Sequence, residues 1–209
     1  MNFLERINAT LHNEIPDQVP FAPYDNLVPR GSFERELRNR GMGLCKRIST
    51  IVASMPNVTI EHRMDGDTSL IIYHTPDGDV RTRSKTGLGR INDAQVVELE
   101  GMIKDVSDYA PVIFMLDDTV FHIDNSVYYD TVRDLGADGI VRDWALDYEA
   151  APYGAVRRYF GEINGLDRWV YAQMDYPDHF AALLDAQTRR DERRLALVHP
   201  GLNKPGVTL

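Results

Sequence analysis

An α/β fold carrying an inserted antiparallel meander is what the sequence predicts, and three observations lead there. Val19 to Cys45 reads as an apolar run, a polar loop and a short helix. From Asn57 to Ser84 the apolar period falls to two, with turn formers at Asp65-Gly66 and Thr75-Pro76-Asp77-Gly78. Most of the remaining chain repeats its apolar residues at helical spacing.

In chain order, Phe3, Leu4, Ile7 and Leu11 predict an amphipathic helix over 2–12, stopped by Pro16. Val19 to Tyr24 reads as a buried strand, followed by the turn formers Asp25-Asn26 and Pro29-Arg30-Gly31. Ser32 is placed as the cap of a helix that ends near Gly41, with Glu34–Arg38 and Glu36–Arg40 as i,i+4 pairs. Residues 43–54 read as a second short helix with Leu44, Ile48 and Ile51 inward. Within 57–84, a turn at Asp65-Gly66 sets His62 opposite Ser69 and His74 opposite Asn57. The third strand, Val80 to Ser84, reads as a sheet edge. Helices follow over 92–105, 107–119 and 125–135. Gly136 ends the last of these. A strand over 138–143 comes next, with Arg142, Asp143 and Trp144 toward its carboxyl end, then a short helix over 152–160. A helical pair over 166–174 and 177–198 closes the pattern. Pro177 opens its second member, and Phe180, Leu183, Leu184, Leu195 and Val198 form the inner face. Residues 199–209, rich in proline and glycine, read as an irregular tail.

The totals narrow the function. For 209 residues one domain is the default and two small ones are the alternative, and 43% hydrophobic residues is ordinary for a globular chain. A net charge of −9 argues against a general nucleic-acid surface. One cysteine, Cys45, excludes an internal disulfide framework and suits a reducing cytoplasm. The start of the chain, MNFLERINATLHNE, has no apolar core after a basic lead, so it does not read as a secretory signal. No apolar stretch approaches ~20 residues, so no membrane span is expected.

Three blocks resemble the uroporphyrinogen decarboxylase superfamily, which includes corrinoid-dependent methyltransferases. The first is the entry Pro16-Asp17-Gln18-Val19-Pro20-Phe21 with the Arg-bearing loop that follows. The second is the hairpin Tyr73-His74-Thr75-Pro76-Asp77-Gly78, similar to one in the methyltransferase-like branch. The third is the helical pair around Asp175-Tyr176-Pro177. The resemblance implies the N-terminal part of a (β/α)8 TIM barrel over residues 1–198, with 57–84 as the inserted three-stranded antiparallel meander. Strands 18–23 and 138–143 would belong to the barrel. A closed barrel of this kind takes roughly 200–250 residues or more, and the meander and its flanks use up residues it would need, so the chain is expected to be incomplete, as a truncated gene product or one half of a split protein. Where the decarboxylases carry Arg-Gln-Ala-Gly-Arg, this chain has Leu27-Val28-Pro29-Arg30-Gly31. That departure favours the cobamide-dependent methyltransferase-like branch. A true porphyrinogen decarboxylase, a non-catalytic binding or assembly subunit, and an inactive degenerate product are the alternatives.

The resemblance also implies a carboxylate-rich tetrapyrrole or corrinoid ligand. It places the substrate-binding candidates Tyr24, Asp25 and Arg30 on the first loop. A guanidinium suits carboxylate recognition because it is planar, always charged and bidentate. A solvated loop arginine, or a local partner for Asp25, is the plain alternative for Arg30. Asp143 is the candidate acid or base, since barrel chemistry sits at strand carboxyl ends, and a strand-terminal turn residue is its plain alternative. Asp117-Asp118 is rejected as a dyad because adjacent helix residues do not face each other. His12, His62, His74, His122, His179 and His199 form no metal-spaced cluster, and His179 reads as exposed. The family's methyltransferases hold zinc with a His-x-Cys motif and a later Cys that this chain lacks. No cofactor is therefore expected in this chain, although cobamide and zinc belong to a full-length relative. Alone, it is expected to be inactive and to self-associate or bind a complementary chain.

Overall fold

The computed structural model describes residues 1–85, 97–143 and 165–202. The chain divides into two compact units, Met1–Val52 with Ile123–Ala145, and Ala53–His122 with Leu146–Leu209. The architecture is mixed α/β. No closed barrel forms among the described residues, where the largest sheet has four strands.

In the first unit, helix α1 is Phe3–Leu11, as its apolar spacing predicts. Asn2 accepts from Glu5 N at 2.9 Å and Glu5 accepts from Asn2 N at 2.8 Å, a reciprocal cap. Helix α2 is Ser32–Asn39, capped by Gly31 rather than by Ser32. Gly31 takes that place with φ +155, and Ser32 becomes the first helical residue. Both i,i+4 pairs form, Arg38–Glu34 at 3.3 Å and Arg40–Glu36 at 2.5 Å.

Two expectations fail here. The buried strand over 18–23 is absent: Val19 is 82% exposed and Phe21 65%. The stretch is extended, and Gly43 N and Cys45 N donate to Phe21 O and Pro23 O, each at 2.9 Å. Pro20 and Pro23 offer no N–H, so a regular ladder cannot run through them. The helix over 43–54 is absent too. Its place is taken by β1, Leu44–Ile48, and β2, Ile51–Ser54. The i, i+4, i+7 spacing of Leu44, Ile48 and Ile51 imitates a helix. The β-branched run Ile48, Thr50, Ile51, Val52 after Gly43 favours strand, and long-range pairing decides the matter.

That pairing is with β8, Gly139–Asp143, which lies parallel to β1 in the register Leu44↔Gly139 to Ile48↔Asp143. Helix α4, Ser126–Leu135, leads into it and ends at Gly136 with φ +56, as expected. The short helix expected over 152–160, and Trp144, lie outside the described residues.

The second unit holds the meander, as predicted: β3 (Thr59–Asp65), β4 (Thr68–Thr75) and β5 (Gly78–Lys85), antiparallel throughout. The first turn is Gly66-Asp67, one residue later than expected. Gly66, at φ +59, takes the first loop position, where a type II′ turn needs positive φ. Partners therefore shift by two: His62 faces Ile71 and His74 faces Thr59. A shift of two preserves faces, so the histidines stay on opposite sides of the sheet as predicted. The strand β5 is not an edge. It pairs with β6, Val97–Glu100, where a helix over 92–105 was expected. Of that span, 92–96 lies outside the described residues.

Helix α3, Tyr109–Asp118, covers most of the helix expected over 107–119. Strand β7, Val120–Ile123, follows it. Helices α5, Gly165–Asp175, and α6, Pro177–Leu202, form the expected pair. The last helix runs through Pro200, so 199–202 is helical rather than irregular, and 203–209 lies outside the described residues. The core gathers Val80 from the sheet, Tyr109, Val112 and Met115 from α3, and Phe180 and Leu183 from α6. Leu195, expected inside, is 38% exposed, while Arg190 and Arg194 are 8% and 7% exposed. Arg190 lies 5.3 Å from the Phe121 ring centroid, so its guanidinium packs on an aromatic face.

Candidate functional site

The parallel register of β1 and β8 sets Arg47 directly beside Arg142, one residue before the carboxyl end of both strands. Tyr24 joins them because it forms an isolated parallel bridge with Cys45. The Arg47 guanidinium lies 4.3 Å from the Tyr24 ring centroid, and Arg142 Nη1 donates to Tyr24 Oη at 3.0 Å. Arg47 Nη2 also donates to Asn26 Oδ1 at 3.4 Å. One phenol is thus held between two cations at a strand end.

Beneath them Cys45 is buried. Burial pushes its thiol pKa up, and Asp25 adds to the rise, while Arg142 and Arg47 oppose it. The thiol is therefore kept neutral and is a poor nucleophile. Asp143 accepts from Thr50 N at 3.3 Å and from Thr50 Oγ1, which ties the turn after β1 to the end of β8. Its carboxylate holds a backbone turn in place.

Of the residues singled out in the sequence, Tyr24, Asp25 and Asp143 come to this strand end. Arg30 is exposed and makes no hydrogen bond or ion pair among the described residues. Sequence reasoning missed Arg47 and Asn26, and it placed Arg142 near a strand end without giving it a role. Part of the signal for Arg47 was present: the β-branched residues of 48–52 favour strand over helix, but only the observed end of β1 at Ile48 puts Arg47 near a carboxyl end.

A second polar cluster lies on the meander. His74 sits between Asp79, Nδ1 to Oδ1 at 2.9 Å, and Glu61, Nε2 to Oε2 at 3.6 Å. The hydrogen bond to Asp79, then the nearby charges of Asp79 and Glu61, raise the His74 pKa above its ordinary value. The rejected pair Asp117-Asp118 has two separate structural roles. Asp117 takes Arg189 at 2.6 Å, and Asp118 accepts from Asn57 N at 2.9 Å and Asn57 Nδ2 at 2.7 Å. His179 is exposed, with its ring 5.6 Å from that of Tyr109.

No family model, curated protein or solved structure matches this chain. Among the described residues, no group of three or more His, Cys, Asp or Glu side chains is arranged to hold a metal ion. No helix among them is long and apolar enough to cross a membrane. The chemistry gathered at this strand end is two guanidiniums flanking an aromatic ring.

Proposed function

We propose that the first unit binds a carboxylate-rich planar ligand of the tetrapyrrole or corrinoid class, as part of a uroporphyrinogen decarboxylase-type protein of the cobamide-dependent methyltransferase-like branch. The observation that carries this reading is the placement of Arg47 and Arg142 side by side at the carboxyl end of parallel strands, around Tyr24. Strand carboxyl ends are where α/β folds take ligands, and paired guanidiniums favour carboxylates. The aromatic face of Tyr24 suits a flat conjugated ring. Arg30, exposed on the same loop, would add a peripheral carboxylate contact. In this reading β1 and β8 belong to a partial (β/α)8 arrangement, and the chain by itself has neither decarboxylase nor methyltransferase turnover. A site of that kind is assembled from loops after many strands.

The experiment is a fluorescence titration of the chain with uroporphyrin, an octacarboxylate, and with cobinamide, whose side chains are amides. Uroporphyrin is expected to bind. Arg142→Met should weaken it by roughly tenfold or more, the scale of one charge-assisted hydrogen bond at ~1.5–3 kcal/mol. Arg30→Ala should weaken it less, and Arg30→Lys should restore only part. Uroporphyrin affinity unchanged in Arg142→Met, or the absence of uroporphyrin binding to the wild-type chain, would overturn the reading. The absence of uroporphyrin binding would leave the assembly-subunit alternative.

A further inference from the structure

We propose that the outer edge of β3 pairs with the same edge of a second copy of the chain, antiparallel, about a two-fold axis through His62. β3 ends the four-stranded sheet in the order β3-β4-β5-β6. Its seven residues, Thr59–Asp65, form an unbroken register with β4, with no bulge and no proline. All but Glu61 are exposed. The opposite edge, β6, has four residues and a register shift between Arg83 and Ser84, two features that discourage further pairing. A long, flat, exposed edge is a template for another strand.

The occupant follows from the sequence of the strand. A two-residue turn closes on a pair that exchanges backbone hydrogen bonds, here Asp65↔Thr68. Alternation then turns the N–H and C=O groups of Ile60, His62 and Met64 outward. An antiparallel partner must bond to those three residues, which leaves few registers for a second β3. Centring on Glu61 sets Glu61 against itself, and centring on Arg63 sets Arg63 against itself. Either puts like charges directly opposite. Centring on Ile60 or Met64 shortens the ladder. Centring on His62 engages all three outward residues, sets His62 against His62 of the second copy on the axis, and leaves no two carboxylates and no two guanidiniums directly opposite. Glu61 meets Arg63 of the second copy and the reverse, Ile60 meets Met64, and Thr59 meets Asp65. Ile60 and Met64, 43% and 64% exposed in the single chain, would be covered. Glu61 and Arg63, already 2.6 Å apart along the strand, would become a four-charge network across the axis.

Such a dimer joins two four-stranded sheets into one of eight. The test is sedimentation equilibrium of the full chain over a dilution series. Wild type is expected to move from the mass of one chain, 23.8 kDa, to twice that as concentration rises. Glu61→Arg and Arg63→Glu should each stay monomeric, because each sets like charges opposite one another, and an equal mixture of the two should dimerise. Met64→Pro should also be monomeric with its circular dichroism unchanged, since it removes an outward N–H and leaves the β3–β4 ladder intact. A wild-type chain that stays at one mass throughout overturns the proposal. So does an Arg63→Glu variant that dimerises like wild type, or a mixture that fails to recover the dimer.

Discussion

Gly139→Ala should be among the most damaging small substitutions in the first unit. Gly139 opens β8 with φ −178, an extended backbone that any residue adopts, so conformational strain is not the reason. The reason is space. A Cβ there would stand 2.3 Å from Leu44 O and 2.8 Å from Leu135 Cδ2. The leucine side chain can swing aside. The carbonyl belongs to β1, directly opposite in register, and moves only with its strand. Carbon and carbonyl oxygen meet at roughly 3.3 Å, so the strands must part by about 1 Å at this end. A backbone hydrogen bond stretched by ~1 Å lies outside the usual range of about 2.7–3.2 Å. Two such bonds lost at ~1 kcal/mol each, with overpacking of ~1–3 kcal/mol, give a destabilisation of ~3–5 kcal/mol. Hydrogen exchange read by mass spectrometry localises the effect. Amides of 44–48 and 139–143 should exchange at least roughly 100-fold faster, at tenfold per ~1.4 kcal/mol. Gly136→Ala is the control. Nothing lies within 4 Å of its added Cβ, so any loss there is backbone strain: φ +56 with ψ −132 is a conformation L side chains rarely adopt, at a cost on the order of 1–3 kcal/mol. Protection of β1 and β8 unchanged in Gly139→Ala would refute the steric reasoning.

Other expectations concern the second unit and the exposed charges. Leu183→Ala removes a fully buried side chain from the α6–α3 contact and should lower stability by ~2–5 kcal/mol in urea unfolding; a change under ~1 kcal/mol would show that the site collapses. The His74 pKa is raised in the folded chain, so its contribution is fully present below the ordinary histidine value of 6.5 and is lost as pH rises through the raised value. The stability difference between wild type and Asp79→Asn should therefore shrink on the alkaline side, which denaturation midpoints across pH will report. The Arg6 hydrogen bond, helped by the terminal amine, holds the Asp17 carboxyl below its ordinary range. That contribution is present above the ordinary carboxylate pKa and lost as pH falls through the depressed value, so wild type and Asp17→Asn should converge only in acid.

What the sequence by itself determined is whatever rests on near neighbours along the chain. The helix from Phe3, the one ending at Gly136 and the pair around Pro177 were legible because apolar period, caps and breakers act over one or two turns of backbone. The meander was legible because Gly66 and the Thr75–Gly78 turn bring strands together within a few residues, and its faces survived a two-residue error in register. The tertiary structure alone decided what depends on distant partners. Leu44 to Val52 carries apolar residues at helical spacing, and its first part, Leu44–Ile48, is drawn into strand by β8, almost a hundred residues away in the chain. Val97 to Glu100 becomes strand because β5 offers an edge. The apolar run from Val19 stays exposed because its prolines cannot complete a ladder. The candidate site belongs to the same class. Tyr24 and Arg30 could be picked out by residue type. The adjacency of Arg47 and Arg142 exists only because two parallel strands meet in one register, and local propensity carries no information about register.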